Sequence, residues 1–152
     1  MTNNEILAAA FATLNADMLE RQLTWAANRG EATKNLINEL SPKRRSMGEW
    51  AYYDAIFDIA GGKTWFNIVC AANRDELVKK NVASLIAKRD AKILAALEKS
   101  GVTELAPFEL LHTSDGVEGE FVIDGRKVSI KTILAGGYNI QCLHQRTTVK
   151  VR

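Results

Sequence analysis

Residues Gly119 to Leu134, GEFVIDGRKVSIKTIL, decide the fold class. Apolar and polar side chains alternate on both sides of Asp124-Gly125, and Asp-Gly between alternating runs is a strong signal for a two-residue hairpin loop. Such a loop sets Ile123 opposite Arg126, Phe121 opposite Val128 and Glu118 opposite Lys131. One face then carries Phe121, Ile123, Val128 and Ile130, and the other Glu118, Glu120, Lys127, Ser129 and Lys131. Opposite charges facing each other across a ladder stabilise it by roughly 0.2–1 kcal/mol.

Upstream of the hairpin, Phe108 to Thr113 reads as a short strand and Thr113-Ser114-Asp115-Gly116 as a turn. Downstream, Ala135-Gly136-Gly137 reads as a three-residue loop into a long last strand, Tyr138 to Val151. This register places Lys131 opposite Gln141, Ile130 opposite Cys142 and Val128 opposite His144, with Cys142 and His144 on the core face. It also sets Arg126 against Arg146 and puts Val149 and Val151 on the wrong parity, which predicts a bulge near residues 143–148.

The preceding two-thirds of the chain is helical in pattern. Leu7, Phe11, Leu14, Met18 and Trp25 recur at helical intervals over Asn4 to Arg29, with Asn3 or Asn4 as N-cap and Gly30 as the stop. Glu31 to Leu40 forms a shorter helical piece ended by Ser41-Pro42, and Pro42 to Gly48 a basic turn or loop. Glu49 to Ala60 predicts a helix that buries Trp50, Tyr53, Ile56 and Phe57 or Ile59. Thr64 to Ala72 reads as helix, and Asp75 to Ser100 is the clearest helix, with Val78, Val82, Leu85, Arg89, Ile93 and Leu97 along one stripe and Gly101 as its stop. The fold class is α+β in one domain, residues 1–152. About four to five helices fill residues 1–103, and an antiparallel β-meander of about four strands fills 104–152.

The 152 residues, 47% hydrophobic and 25% charged, suffice for a packed core and exclude a wholly disordered chain, a collagen-like fibre and a disulfide-stapled miniprotein. Apolar runs fall short of a membrane span, and the N-terminus lacks the basic start and cleavage site of a secretory signal. Cys70 and Cys142 stand far apart without CxxC spacing, so a reduced, cytoplasmic protein without zinc, disulfides or a cofactor is expected. The net charge of +2 conceals a sharp switch of sign. Glu104 to Gly125 holds six acids and no base, whereas Arg126 to Arg152 holds six bases and no acid. Hairpin pairing accounts for Lys127 and Lys131, leaving Arg146, Lys150 and Arg152 without an assigned acidic partner.

The chemistry is sparse. Gly61-Gly62-Lys63-Thr64 matches the end of a phosphate-binding loop, but Phe57 stands where its first Gly belongs, so a helix-breaking turn is the better reading. His112 and His144 are the only histidines and would serve as acid and base of a small hydrolase if their side chains converged. His112-Thr113-Ser114 fits one half of the His-x-Ser/Thr pair of two-histidine phosphodiesterases, while His144-Gln145-Arg146 does not fit the other. Lys43, Arg44 and Arg45, together with Tyr138, Asn139, Gln141, Arg146, Lys150 and Arg152, could reach phosphates or stack on bases, or could equally form a solvated rim.

The run ILAGGYNIQCLHQRTTVKVR (Ile133 to Arg152) resembles small proteins encoded by tailed bacteriophages and prophages, and KNVASLIAKRDAKILAALEKSGV (Lys80 to Val102) is similar to a helix of the same group. Together they cover roughly the last half of the chain. The resemblance implies the cytoplasm of a bacterial host cell and a protein of infection, and it brings no catalytic residues. Small phage proteins of this kind bind host proteins, nucleic acid or signalling nucleotides, and some counter host defences. The leading expectation is a non-enzymatic accessory protein, monomer or homodimer, that binds a host or phage macromolecule, a protein foremost, with counter-defence inhibition as its expected role. A nucleic-acid- or nucleotide-binding module is the alternative and the histidine hydrolase a second; a membrane partner is not expected.

Overall fold

A computed structural model describes residues 1–135 and 144–152 of the chain. Helices come first and an antiparallel sheet follows, the expected α+β order. The described residues group into two compact units: Met1–Met18 with 83–135 and 144–152, and Leu19–Val82.

In the first unit, α1 (Asn3–Ala10) is capped by Thr2, whose hydroxyl accepts the Glu5 N–H at 3.2 Å. Asn3, an expected cap, instead donates to the Thr103 carbonyl at 2.9 Å and accepts the Leu105 N–H at 3.0 Å. Phe11 leaves helical geometry (φ −101°, ψ 8°) and separates α1 from α2 (Ala12–Leu40), dividing the single helix expected over Asn4 to Arg29. Leu7, Phe11, Leu14 and Met18 are buried, as are Arg89, Ile93 and Leu97 of α6 (Arg74–Lys99). A fully buried residue of this size contributes about 1.5–3 kcal/mol.

Arg89 is the charged member of that core. Its Nε and Nη2 donate to Asp90 Oδ1 at 3.2 and 3.0 Å, its Nη1 donates to Asn15 Oδ1 at 2.7 Å, and its guanidinium carbon lies 4.0 Å from the Phe11 ring centre. Loss of hydration lowers its pKa, and the Asp90 carboxylate opposes that shift.

The sheet is a meander of β1 (Leu111–His112), β2 (Gly116–Ile123), β3 (Arg126–Ala135) and β4 (His144–Val151), ordered β1-β2-β3-β4. Asp124 (φ 52°) and Gly125 (φ 74°) form the hairpin loop, and both positive φ values suit the twist of the flanking strands. Ile123 faces Arg126, Phe121 faces Val128 and Glu118 faces Lys131, the register read from the sequence.

The β3–β4 register departs from expectation. Lys131 faces Thr148 rather than Gln141, Ile130 faces Val149 rather than Cys142, and Val128 faces Val151 rather than His144. The last strand starts at His144, opposite Ala135, so eight residues, 136–143, connect the strands instead of three. The physical reason is parity. This register places Val149 and Val151 on the same face as Ile130 and Val128, and it pairs Arg146 with Ile133 instead of Arg126. Pairing is continuous from His144 to Val151, so the expected bulge is absent over that span. A buried hydroxyl pair, Thr132 and Thr147 at 3.1 Å, sits at the centre of the ladder, and Gln145 Nε2 donates to the Leu85 carbonyl of α6 at 2.7 Å.

In the second unit, α2 runs through Gly30 to Leu40, so Gly30 does not stop the helix. Glycine costs about 1 kcal/mol in a helix interior relative to Ala. Close approach explains its presence, since a Cβ there would lie 2.7 Å from the Val69 carbonyl oxygen and 2.8 Å from Arg74 Nη1. Gln22, Ala26 and Thr33 form the buried stripe of this stretch, while Trp25 is half-buried. The basic stretch expected as a loop is a 3₁₀ turn (Ser41–Lys43) followed by the one-turn helix α3 (Arg44–Met47). α4 (Glu49–Ala60) buries Tyr52, Ile56 and Ala60, and α5 (Lys63–Val69) follows. Trp50 and Tyr53, expected in the core, are 87% and 40% exposed.

Candidate interaction surfaces

The outer face of the sheet belongs to the first unit. Strand alternation sends Val117, Phe121, Val128, Ile130 and Thr132 inward, and Glu118, Glu120, Lys127, Lys131, Arg146, Thr148 and Lys150 to the other face. Arg152 joins them, because its N–H and carbonyl bond Lys127 across the ladder at 2.9 and 3.2 Å. Lys127 meets Glu120 at 3.0 Å and Lys131 approaches Glu118 at 3.9 Å. Hydrogen bonds from Lys127 and Ser129, with the Lys127 charge and the weaker field of Arg152, hold the Glu120 carboxyl below its ordinary value. Arg146, Lys150 and Arg152 are exposed and make no ion pair among the described residues. Two large apolar side chains, Leu111 and Val122, also stand on this face at 70% and 69% exposure. A shallow hollow of about 550 Å³ is lined by Leu111, Glu118, Glu120, Lys131, Lys150 and Arg152.

The second surface is the corner between α3 and α4, in the other unit. The Arg44 guanidinium lies over the rings of Tyr52 and Tyr53 at 5.0 and 5.2 Å. Its Nη2 donates to the Tyr53 hydroxyl at 2.8 Å and to Glu49 at 3.2 Å. Tyr53, with Glu49 and Tyr52 contributing less, raises the Arg44 pKa against a partial loss of hydration. The aromatic series continues from Tyr53 to Phe57 (6.0 Å, stacked) and from Phe57 to Phe66 (5.1 Å, edge to face). Beside this braced residue in sequence, Lys43, Arg45 and Trp50 are exposed. The arrangement is a run of contacting aromatic rings flanked by exposed cations and a solvated indole. Sequence reasoning named the three bases and missed Trp50, which the helical period of α4 had assigned to the core.

The remaining candidates separate. Lys43–Arg45 belong to one unit and Arg146–Arg152 to the other. Tyr138, Asn139, Gln141 and Cys142 lie outside the described residues. His112 sits on β1 opposite Val117, exposed, while the His144 backbone opens β4. Those strands are the two edges of the sheet, and three strand spacings of about 4.8 Å separate them. The meander therefore does not bring the two positions together. At Gly61-Gly62 the chain turns from one helix into the next, with the Gly61 N–H on Asp58 O and the Gly62 N–H on Phe57 O at 3.1 and 2.7 Å. A strand-to-helix phosphate loop is not built there. Cys70 borders a hollow of about 610 Å³ with Glu31, Lys34 and Arg74. Lost hydration pushes its thiol up, with Arg74 opposing. Among the described residues no cluster of three or more His, Cys, Asp or Glu could hold a metal ion, and no helix is long and apolar enough to cross a membrane.

No protein-family model matches this sequence, and no curated protein or solved structure matches it either.

Proposed function

We propose that this chain is a non-enzymatic accessory protein of a tailed bacteriophage or prophage, and that it binds a host or phage protein through the α3–α4 corner. The observation that carries the reading is Trp50, the most exposed large apolar side chain of the described residues at 87%. Trp, Tyr and Arg dominate the energetics of protein interfaces, and here all three occur within ten residues, from Arg44 to Tyr53. The bracing of Arg44 by Tyr52, Tyr53 and Glu49 fixes the corner before a partner arrives, which lowers the ordering cost of association. The resemblance to phage proteins supports the host-cell setting and a counter-defence role.

The test is photo-crosslinking from position 50 in infected cells, followed by affinity measurement with the purified partner. Trp50→Ala should weaken binding by about 30-fold or more, the effect of a hot spot worth about 2 kcal/mol, without changing the thermal melt. A partner bound equally well by Trp50→Ala would overturn the reading. So would a homodimer in sedimentation that Trp50→Ala dissociates, since Trp50 would then be covered by a second copy.

A further inference from the structure

We infer that the outer face of the sheet binds the sugar–phosphate backbone of single-stranded nucleic acid along β4, independently of the protein-binding corner. Five of the chain's 20 bases (Lys127, Lys131, Arg146, Lys150, Arg152) and two of its 18 acids (Glu118, Glu120) stand on this face, leaving 15 and 16 elsewhere. The chain's entire positive excess is therefore gathered on one side of one sheet. The two acids pair with Lys127 and Lys131, which leaves Arg146, Lys150 and Arg152 without an ion pair among the described residues.

Their arrangement selects the partner. Arg146, Thr148, Lys150 and Arg152 occupy alternate positions of one extended segment, so they form a straight row, one residue wide, with a repeat of about 6.8 Å. A row of that kind fits a linear polyanion that carries one charge per repeat. A folded acidic protein would cover the whole face and meet Glu118 and Glu120 as well. The Thr148 hydroxyl, exposed between two cations, can donate to a phosphate oxygen, and both guanidiniums present paired donors to such oxygens. Leu111 lies across the hollow from the cationic row, and Val122 stands beyond Lys127 on the same face; their exposed surfaces can receive bases turned toward the sheet. Single strands expose bases for such contact, whereas a duplex keeps them stacked.

The test is fluorescence anisotropy with labelled oligothymidylate and oligouridylate across a salt series, using the full chain. Neutralising three phosphates gives a slope of log K against log salt of about −2, or an affinity loss of about 20-fold from 50 to 200 mM salt. The triple variant Arg146→Gln/Lys150→Gln/Arg152→Gln should lose that salt dependence and bind at least tenfold more weakly at 50 mM. The charge-retaining variant Arg146→Lys/Lys150→Arg/Arg152→Lys should bind within about threefold of the parent. Trp50→Ala should leave the oligonucleotide curve unmoved, which separates this inference from the protein-binding one. It is overturned if neither oligomer binds at 50 mM salt, if the glutamine variant binds like the parent, or if polyglutamate binds where oligonucleotides do not.

Discussion

Replacing Arg89 by Met removes one cation from the core of the first unit and retains most of its aliphatic stem. The guanidinium makes two charge-assisted hydrogen bonds to Asp90, one bond to Asn15 and a face contact with Phe11 at 4.0 Å. Bonds of that type contribute about 1.5–3 kcal/mol each and a desolvated cation–π contact about 2 kcal/mol. Keeping the cation out of water costs several kcal/mol, so the net is far smaller than the sum. What decides the outcome is the condition of the groups left behind. Breaking a buried pair from one side typically costs 3–5 kcal/mol. Asp90 retains 14% exposure of its side chain and can recover some water, which points to the lower end, about 3 kcal/mol. With a urea slope of about 2 kcal/mol/M, the unfolding midpoint should fall by about 1.5 M. Arg89→Met/Asp90→Ala should recover at least 1 kcal/mol of that loss, as expected for directly coupled residues. A midpoint shift under about 0.3 M, or a more stable single variant, would refute the view that an orphaned carboxylate dominates here.

Two further outcomes follow from the packing. Gly30→Ala should destabilise the chain by about 1–3 kcal/mol in urea melts, although helix propensity alone favours Ala by about 1 kcal/mol, because the new Cβ meets a backbone carbonyl that cannot move aside; a stabilised variant would show that the close approach is not rigid. Glu120 should titrate below the ordinary Glu value near 4.3 when its carboxyl carbon is followed by NMR, and Lys127→Ala should move it upward. Since the folded value is the depressed one, the associated stability is present above the ordinary value and is lost as pH falls through the folded one.

The parts of this fold that were legible in the sequence are those set by local chemistry. Asp124-Gly125 dictates the hairpin register because both loop residues adopt positive φ, and every pair from Gly116 to Arg126 follows from that single turn. The long stripe on α6 was readable even with Arg89 inside it, since its period outweighs one charged residue. The errors share a different character. Gly30 has the ordinary signature of a helix stop, and only the Val69 carbonyl, 39 residues further along, explains why the helix continues. On α4 two apolar stripes compete, Trp50-Tyr53-Phe57 and Tyr52-Ile56-Ala60, and periodicity cannot rank them. The second is buried, while Arg44 stacks on Tyr52 and Tyr53 at the rim and Trp50 is left in water. That ambiguity hid the residue on which the proposed protein interface depends.

The register of β4 carries the same lesson into function. Read with a three-residue loop, the last strand demanded a bulge and set Arg146 against Arg126, which left Arg146, Lys150 and Arg152 without an assigned acidic partner and without a defined common face. With Val149 and Val151 opposite Ile130 and Val128, the strand is regular and its polar side is continuous. A seven-residue slide is odd, so it reverses the parity of the strand and turns Arg146, Thr148 and Lys150 onto the face that already holds Glu118 and Glu120. Exposed cations on an edge strand also oppose edge-to-edge aggregation, and that role alone needs no particular spacing. The two roles therefore differ in what they demand. Protection is served by exposed cations on either edge strand, whereas a phosphate-binding row requires them together on the outward positions of β4. Arg146→Gln/His112→Arg, which carries that charge to an exposed position on the other edge strand while holding the net charge at +2, should cut the salt slope by about a third, from about −2 to about −1.4, and leave solubility unchanged, a distinction that net charge cannot make.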